Sequence, residues 1–188
     1  GFGRLGSHFW GFEKHGVTPD IATMGKPMGN GYPVSAVVTS SEVIDAFQQH
    51  SHYFNTFAGT PVACAAASAV LDVIEEQGLQ ARALETGRYL KDSLKELAAF
   101  HPLIGDIRGS GMFIGIELVK DRASREPAVS ETEKAVNLLR ENGVLIGSTG
   151  QFDNVLKIRP PMVFTRQNAD LLLDKLSATL TAVRMESG

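Results

Sequence analysis

The sequence predicts an α/β protein in two parts, an α/β portion over residues 1-100 and a separate α+β unit over residues 101-188. Three observations carry this. A short apolar run, Ile21 to Met24, is bounded by Pro19-Asp20 and Gly25. Long helical patterns follow, punctuated by Pro61, Gly78 and Pro102. Beyond Pro102 short apolar runs alternate with amphipathic ones, the pattern of a strand-and-helix unit of its own.

Ile21 to Met24 reads as a buried strand of an α/β sheet. Lys26 stands just past its carboxyl end, and Pro27 biases Lys26 toward an extended backbone. Thr60 is suited to cap a helix that opens with Pro61 and runs through Leu71 and Ile74 to Gly78, a residue at ease in the left-handed conformation beyond a helix end. The alanines of that helix permit close packing, so it is expected to be buried or at a subunit contact. A second helix, about Leu79 to Phe100, gathers Leu84, Leu90, Leu94 and Leu97 on one face and stops before Pro102. Two strand candidates, Met112 to Val119 and Val144 to Ile146, bracket a helix opened by a Ser130-Glu131-Thr132-Glu133 capping box and ended at Gly143. A third strand, Val155 to Ile158, leads to a final helix from about Gln167 to Val183, with Leu171, Leu172, Leu176 and Leu180 as its buried stripe.

Composition narrows the function. The 188 residues are 43% hydrophobic and 21% charged, enough for one core or two small ones. A net charge of −3 leaves no electrostatic footprint for nucleic acid or an anionic membrane. No apolar stretch approaches the ~20 residues a membrane-spanning helix needs, and no signal peptide is visible. The expectation is a soluble cytoplasmic protein with neither nucleic acid nor membrane as partner. Cys64 is the only cysteine, so an intrachain disulfide is excluded, and its small-residue neighbours Ala63 to Ala69 predict a buried, inert thiol.

Several motifs fail on context. Gly1-Phe2-Gly3-Arg4-Leu5-Gly6 matches a dinucleotide-binding fingerprint literally but has no strand before it in the chain and no helical run after it. Gly25-Lys26-Pro27 lacks the Ser/Thr and the upstream glycine of a phosphate loop. His50 and His52 have no third ligand at metal spacing, and a solvated loop accounts for them better.

Three residues remain with chemistry to offer. Lys26 is either a surface lysine in a turn or, at the carboxyl end of a strand where open α/β sheets hold ligands, an amine whose charged form is disfavoured by apolar surroundings and which attacks a carbonyl to form a Schiff base. Pyridoxal phosphate is the usual carbonyl partner of such a lysine. Thr56, ahead of the helix at Pro61, is either a local cap or a hydroxyl that binds an anion with nearby backbone N–H groups. Arg159, followed by Pro160 and Pro161, is either an exposed ion-pair member or a planar fork for a carboxylate. Arg108, in a glycine-rich segment, reads as structural.

The blocks around these residues resemble a known family. Gly1-Phe2-Gly3-Arg4 with Pro19-Asp20-Ile21, Gly25-Lys26 and Gly31-Tyr32-Pro33 is similar to the lysine region of the class III pyridoxal-phosphate-dependent aminotransferases. Tyr53-Phe54-Asn55-Thr56-Phe57-Ala58-Gly59-Thr60-Pro61-Val62-Ala63-Cys64-Ala65, Ile107-Arg108-Gly109-Ser110-Gly111-Met112-Phe113-Ile114-Gly115 and Leu156-Lys157-Ile158-Arg159-Pro160-Pro161-Met162 resemble three further blocks in the family's order. Ala58 stands where the family usually has glycine, and Thr60 where it usually has asparagine.

The resemblance implies pyridoxal-phosphate transferase fold type I, with residues 1-100 as the later part of the large cofactor domain and residues 101-188 as the small carboxyl-terminal domain. It implies transfer of an amino group between an amino acid or amine and a keto acid. Lys26 would be the Schiff-base lysine, Thr56 a ligand of the cofactor phosphate of the neighbouring subunit in a homodimer or higher homo-oligomer with shared active sites, and Arg159 the grip on the substrate carboxylate. The family's aspartate for the pyridine nitrogen, its main phosphate loop and its ring-stacking aromatic precede the position of Gly1, so the chain is expected to be the carboxyl-terminal part of an enzyme and inactive alone. Phospho-lyases, decarboxylases and racemases share the family, and the Tyr53-Phe54-Asn55-Thr56 and Leu156 to Pro161 segments most resemble the alanine–glyoxylate and phospho-lyase branch. A non-catalytic binding module or an inert fragment is the alternative from outside enzymology.

Overall fold

In a computed structural model the structure describes residues 1-186. The chain forms two compact units, one of Gly1–Gly3 with His8–Leu79 and the other of Arg4–Ser7 with the chain from Gln80 onward.

In the first unit, β1 (Ile21–Met24) pairs antiparallel with β2 (Ala36–Thr39), Ile21 opposite Thr39 and Met24 opposite Ala36. The strand is where it was expected, but it is not buried. Each strand has one neighbour only, so Ile21, Val37 and Val38 remain exposed. Helix α1 (Ser41–His50), absent from the sequence reading, begins where the Ser40 side chain accepts from the Val43 N–H. Helix α2 (Pro61–Glu76) starts at its expected proline, and Gly78 is left-handed at φ 58°. Thr60 occupies the N-cap position yet its hydroxyl makes no cap bond. Only Ala63, Ala67 and Ile74 of α2 are buried, whereas Val62, Leu71 and Val73 are exposed, so within this chain α2 is not a buried helix. Phe2, Phe9 and Trp10 form the unit's aromatic cluster, with ring centroids 4.6–5.5 Å apart.

The second unit holds the larger core. Helix α3 (Leu79–Ala98) packs with it, Leu90 and Leu94 being fully buried in the same cluster as the sheet. The sheet has four antiparallel strands in the order β3 (Ile104–Ser110), β4 (Phe113–Leu118), β6 (Val155–Ile158), β5 (Gly147–Thr149). Period-two alternation sends Ile114, Ile116, Leu118, Leu156 and Ile158 to one face, where α4 (Val129–Glu141) and α5 (Arg166–Glu186) contribute Leu139, Leu176, Leu180 and Val183. Each fully buried leucine contributes about 1.5–3 kcal/mol to that core.

Four details correct the sequence reading. β5 lies at Gly147–Thr149, not at Val144 to Ile146, because only Gly147 to Thr149 pair with β6. Leu145 is 90% exposed, and the Val144 N–H instead closes α4 by donating to the Leu139 carbonyl at 2.8 Å. α4 begins at Val129 with no side-chain cap, since Ser130 donates to Glu131 and the Thr132 hydroxyl donates back to the Ala128 carbonyl. Leu171 is exposed, because the buried stripe of α5 runs Leu172, Leu176, Leu180 in steps of four and Leu171 sits about 100° away from it. The start of α5 carries an unforeseen reciprocal cap, in which the Thr165 N–H donates to Asn168 Oδ1 at 3.0 Å and the Asn168 N–H to Thr165 Oγ1 at 3.3 Å.

Candidate active site

Lys26 opens a one-turn 3-10 helix, Lys26–Gly29, immediately after β1. The Met28 N–H donates to the Gly25 carbonyl at 3.2 Å and the Asn30 N–H to the Pro27 carbonyl at 3.0 Å. The turn places Lys26 at φ 45°, not in the extended conformation expected before a proline. The Pro27 ring disfavours the right-handed helical region for Lys26, and the chain turns at once through the left-handed one. For a non-glycine residue this costs roughly 1–3 kcal/mol, and such strain clusters at functional sites. Lys26 is exposed, without the apolar enclosure expected of it, and among the described residues it has no ion-pair partner. A cavity of about 480 Å³ opens beside its neighbours Met24, Gly25 and Pro27, walled by Phe2, Trp10 and Phe12.

Thr56 lies in the exposed loop that leads into α2, and α2 packs against the Lys26–Gly29 turn. Asn55 organises the loop. Its side-chain oxygen accepts from the Phe57 N–H at 2.9 Å and its carbonyl from the Ala58 N–H at 3.2 Å. Those two backbone donors are therefore spent, and what the loop offers an anion is the Thr56 hydroxyl and the uncapped first turn of α2. Tyr53, Phe54 and Phe57 project around it at 68%, 86% and 81% exposure.

Arg159 follows β6 in the second unit and is exposed. It lines a cavity of about 550 Å³ together with Lys157, Asn168, Leu145, Phe164 and Leu172, and no carboxylate among the described residues contributes to that lining. Beside it lies Arg4, a half-buried residue to which sequence reasoning gave no role. Arg4 Nη1 donates to the Pro160 carbonyl. Burial, and then the neighbouring Arg159 charge, push the Arg4 guanidinium below its ordinary value. The structure thus holds Lys26 and Thr56 in the first unit and Arg159 in the second.

The remaining candidates resolve simply. Arg108 bridges Asp106 on its own strand and Glu117 on β4, and these two acids raise its guanidinium above the ordinary value, Asp106 first. Its exposed ion pairs tie β3 to β4. Cys64 is exposed, not buried, because the face of α2 that packs is carried by Ala63 and Ala67 and their neighbour Cys64 is turned off it. His50 is the last residue of α1, exposed, with Nδ1 2.9 Å from the Ala46 carbonyl oxygen. No cluster among the described residues has the composition of a metal site.

Comparison with known proteins identifies the family. Residues 1–180 match the family model of the class-III aminotransferases. The chain is 50% identical to the alanine–glyoxylate aminotransferase 2-like protein of Drosophila melanogaster, covering 99% of this chain and 38% of that protein. It is 44% identical to ethanolamine-phosphate phospho-lyase homolog 1 of Caenorhabditis elegans, covering 96% of this chain and 39% of that protein. Among solved structures, an Arthrobacter phospholyase in complex with phosphoethanolamine superposes with a TM-score of 0.94 at 46% identity, over 97% of this chain and 43% of that one. The chain therefore spans about two fifths of the length of the relatives it matches. With 180 of its 188 residues inside the family match, the chain belongs to the class III aminotransferase family.

Proposed function

We propose that this chain forms part of a pyridoxal-phosphate-dependent aminotransferase that moves an amino group between a carboxylate-bearing amino donor and a keto acid. The observation that carries the reading is Lys26, an amine with no ion-pair partner among the described residues, held on left-handed backbone at the end of β1. The residues fit the cofactor. Lys26 Nζ offers a primary amine to its aldehyde, and the Thr56 hydroxyl with the uncapped start of α2 offers donors to the phosphate of the cofactor held by the neighbouring subunit. Bound there, pyridoxal phosphate supplies the electron sink that stabilises negative charge on the substrate carbon.

The residues of this chain then bind, orient and move protons. Lys26 Nζ would hold the cofactor through its aldehyde and, as a free amine, would carry the proton from the substrate carbon to the cofactor carbon beside the transferred nitrogen. Arg159 presents two parallel N–H donors to the substrate carboxylate, and the absence of acids from its cavity leaves that fork available. Thr56 would donate from Oγ1 to the phosphate of the neighbouring subunit's cofactor. The exposed aromatic ring of Tyr53, Phe54 and Phe57 around Thr56 supports a homodimer in which this loop meets the partner subunit, since apolar surface of that size is normally covered. An exposed free thiol at Cys64 suits a reducing, cytoplasmic setting.

Borohydride reduction of the enzyme containing this chain, followed by peptide mapping, should place a pyridoxyl group on Lys26. Recovery on Lys14, Lys91 or any other lysine refutes the assignment. A second reading, a phospho-lyase, is favoured by the likeness to a phospholyase bound to phosphoethanolamine. Release of inorganic phosphate from phosphoethanolamine without a keto product selects it over the transaminase.

A further inference from the structure

β6 ends at Ile158, and the next three residues are Arg159, Pro160 and Pro161. Neither proline has an N–H, so the sheet ladder cannot hold this segment. Arg4 holds it instead, donating from Nη1 to the Pro160 carbonyl across 156 positions of sequence. Arg4 is itself fixed. Its carbonyl accepts from the N–H of buried Met112 at 3.1 Å. Gly111, left-handed at φ 53°, lets the two backbones approach so closely that a Cβ there would lie 2.3 Å from the Arg4 oxygen. Arg4 is thus a strut between the β3–β4 turn and the segment that begins with Arg159.

The charge distribution is lopsided as well. Arg4 and Arg159 lie within electrostatic reach of each other, and neither has a carboxylate partner among the described residues. Lys157, opposite Gly115 and Gly147 in the sheet register, lines the same cavity as Arg159. Two guanidinium groups within electrostatic reach of each other repel, and an anion held at the Arg159 cavity relieves that repulsion.

We propose that Arg4 is a positioning residue for carboxylate recognition, holding the Pro160 carbonyl so that the Arg159 fork stays at its cavity and adding its own charge behind that fork. The proposal rests on the reading of Arg159 as the group that binds the substrate carboxylate. Arg4 need not touch the substrate. Its effect is specific to ligands that carry a carboxylate, which a merely structural arginine would not produce.

The test uses the pyridoxal-phosphate-loaded, full-length enzyme with R4Q, R4K and R159A, a matched donor pair of 4-aminobutyrate and butylamine, and calorimetric binding of butyrate as a carboxylate without an amine. In R4Q, KM for 4-aminobutyrate and Kd for butyrate should each rise about tenfold, the effect of one lost hydrogen bond to a charged group. The kcat for 4-aminobutyrate and all constants for butylamine should stay within about twofold, and R4K should recover part of the loss because it keeps the charge but not the fork. Equal losses for both donors, or an unchanged butyrate Kd in a variant with unchanged thermal midpoint, overturn the proposal. If R4Q does not fold, R4K decides by the same ratio of the two donors. Butyrate binding lost in R159A but intact in R4Q removes Arg4 alone, whereas binding intact in R159A removes the reading of Arg159 with it.

Discussion

Gly87 of α3 rests directly on the backbone of Gly111: a Cβ on Gly87 would stand 2.2 Å from the Gly111 carbonyl oxygen and 2.3 Å from its carbonyl carbon. By helix propensity alone Gly87→Ala would stabilise α3 by about 1 kcal/mol. The contact is with backbone and cannot rotate away, so overpacking wins. Gly87→Ala should destabilise the second unit by about 1–3 kcal/mol, read as a lowered midpoint in thermal unfolding; a midpoint that stays or rises refutes this close approach.

Lys26 sits on left-handed backbone at φ 45°, and two substitutions separate that strain from the Schiff-base role proposed for it. Lys26→Ala and Lys26→Gly should both abolish turnover of the full enzyme and both lose the pyridoxyl label. Lys26→Gly should nonetheless be the more stable by about 0.5–1 kcal/mol, because glycine adopts φ 45° without steric cost while giving back part of that gain as unfolded-state entropy. Equal denaturant midpoints for the two variants would show that the left-handed conformation carries no strain.

Arg159→Ala should lower kcat/KM for 4-aminobutyrate by roughly 30-fold or more, since truncating one partner of a desolvated charged pair costs about 2–5 kcal/mol. Butylamine should be turned over as before. A small, uniform loss for both donors would assign Arg159 to structure instead.

His101 is buried, with Nε2 2.9 Å from Ser177 Oγ, and the Arg122 guanidinium donates to its carbonyl. Burial first, and the Arg184 charge second, push its imidazole below the ordinary 6.5. The folded state therefore favours the neutral ring, and the unfolded chain takes up the proton first as pH falls. The associated stability is fully present above about 6.5 and is lost as pH falls through the lower folded value. Chemical denaturation between pH 7.5 and 5 should show this decline, and His101→Gln should flatten it; an identical slope in the variant would assign the decline to other groups.

Much of this architecture is legible in the sequence, from proline and glycine punctuation in the first unit and from faces that meet the core in the second. Ile21 to Met24, Pro61, the Leu90 and Leu94 face, Val155 to Ile158 and Gly143 are where their patterns place them. β3 is not legible because Gly105, Asp106, Arg108 and Gly109 leave an edge strand almost without apolar alternation, and β4 together with the Arg108 ion pairs is what defines it. β5 is misplaced by three residues because an apolar run does not specify register; Lys157 opposite Gly147 does. Within the candidate site, Lys26, Thr56 and Arg159 stand out by residue type and neighbours. Arg4 does not, because its partner Pro160 is distant in sequence and a bond to a backbone carbonyl leaves no trace in composition.

Arg4–Ser7 belong to the second compact unit although Gly1–Gly3 and His8–Leu79 belong to the first. A chimera between two family members spliced at residue 80 would pair one parent's Arg4 with the other parent's Gly111 and Pro160. Such hybrids should recover carboxylate selectivity only when the short amino-terminal seam travels with the carboxyl-terminal half, so the natural unit of exchange in this protein is discontinuous in the gene.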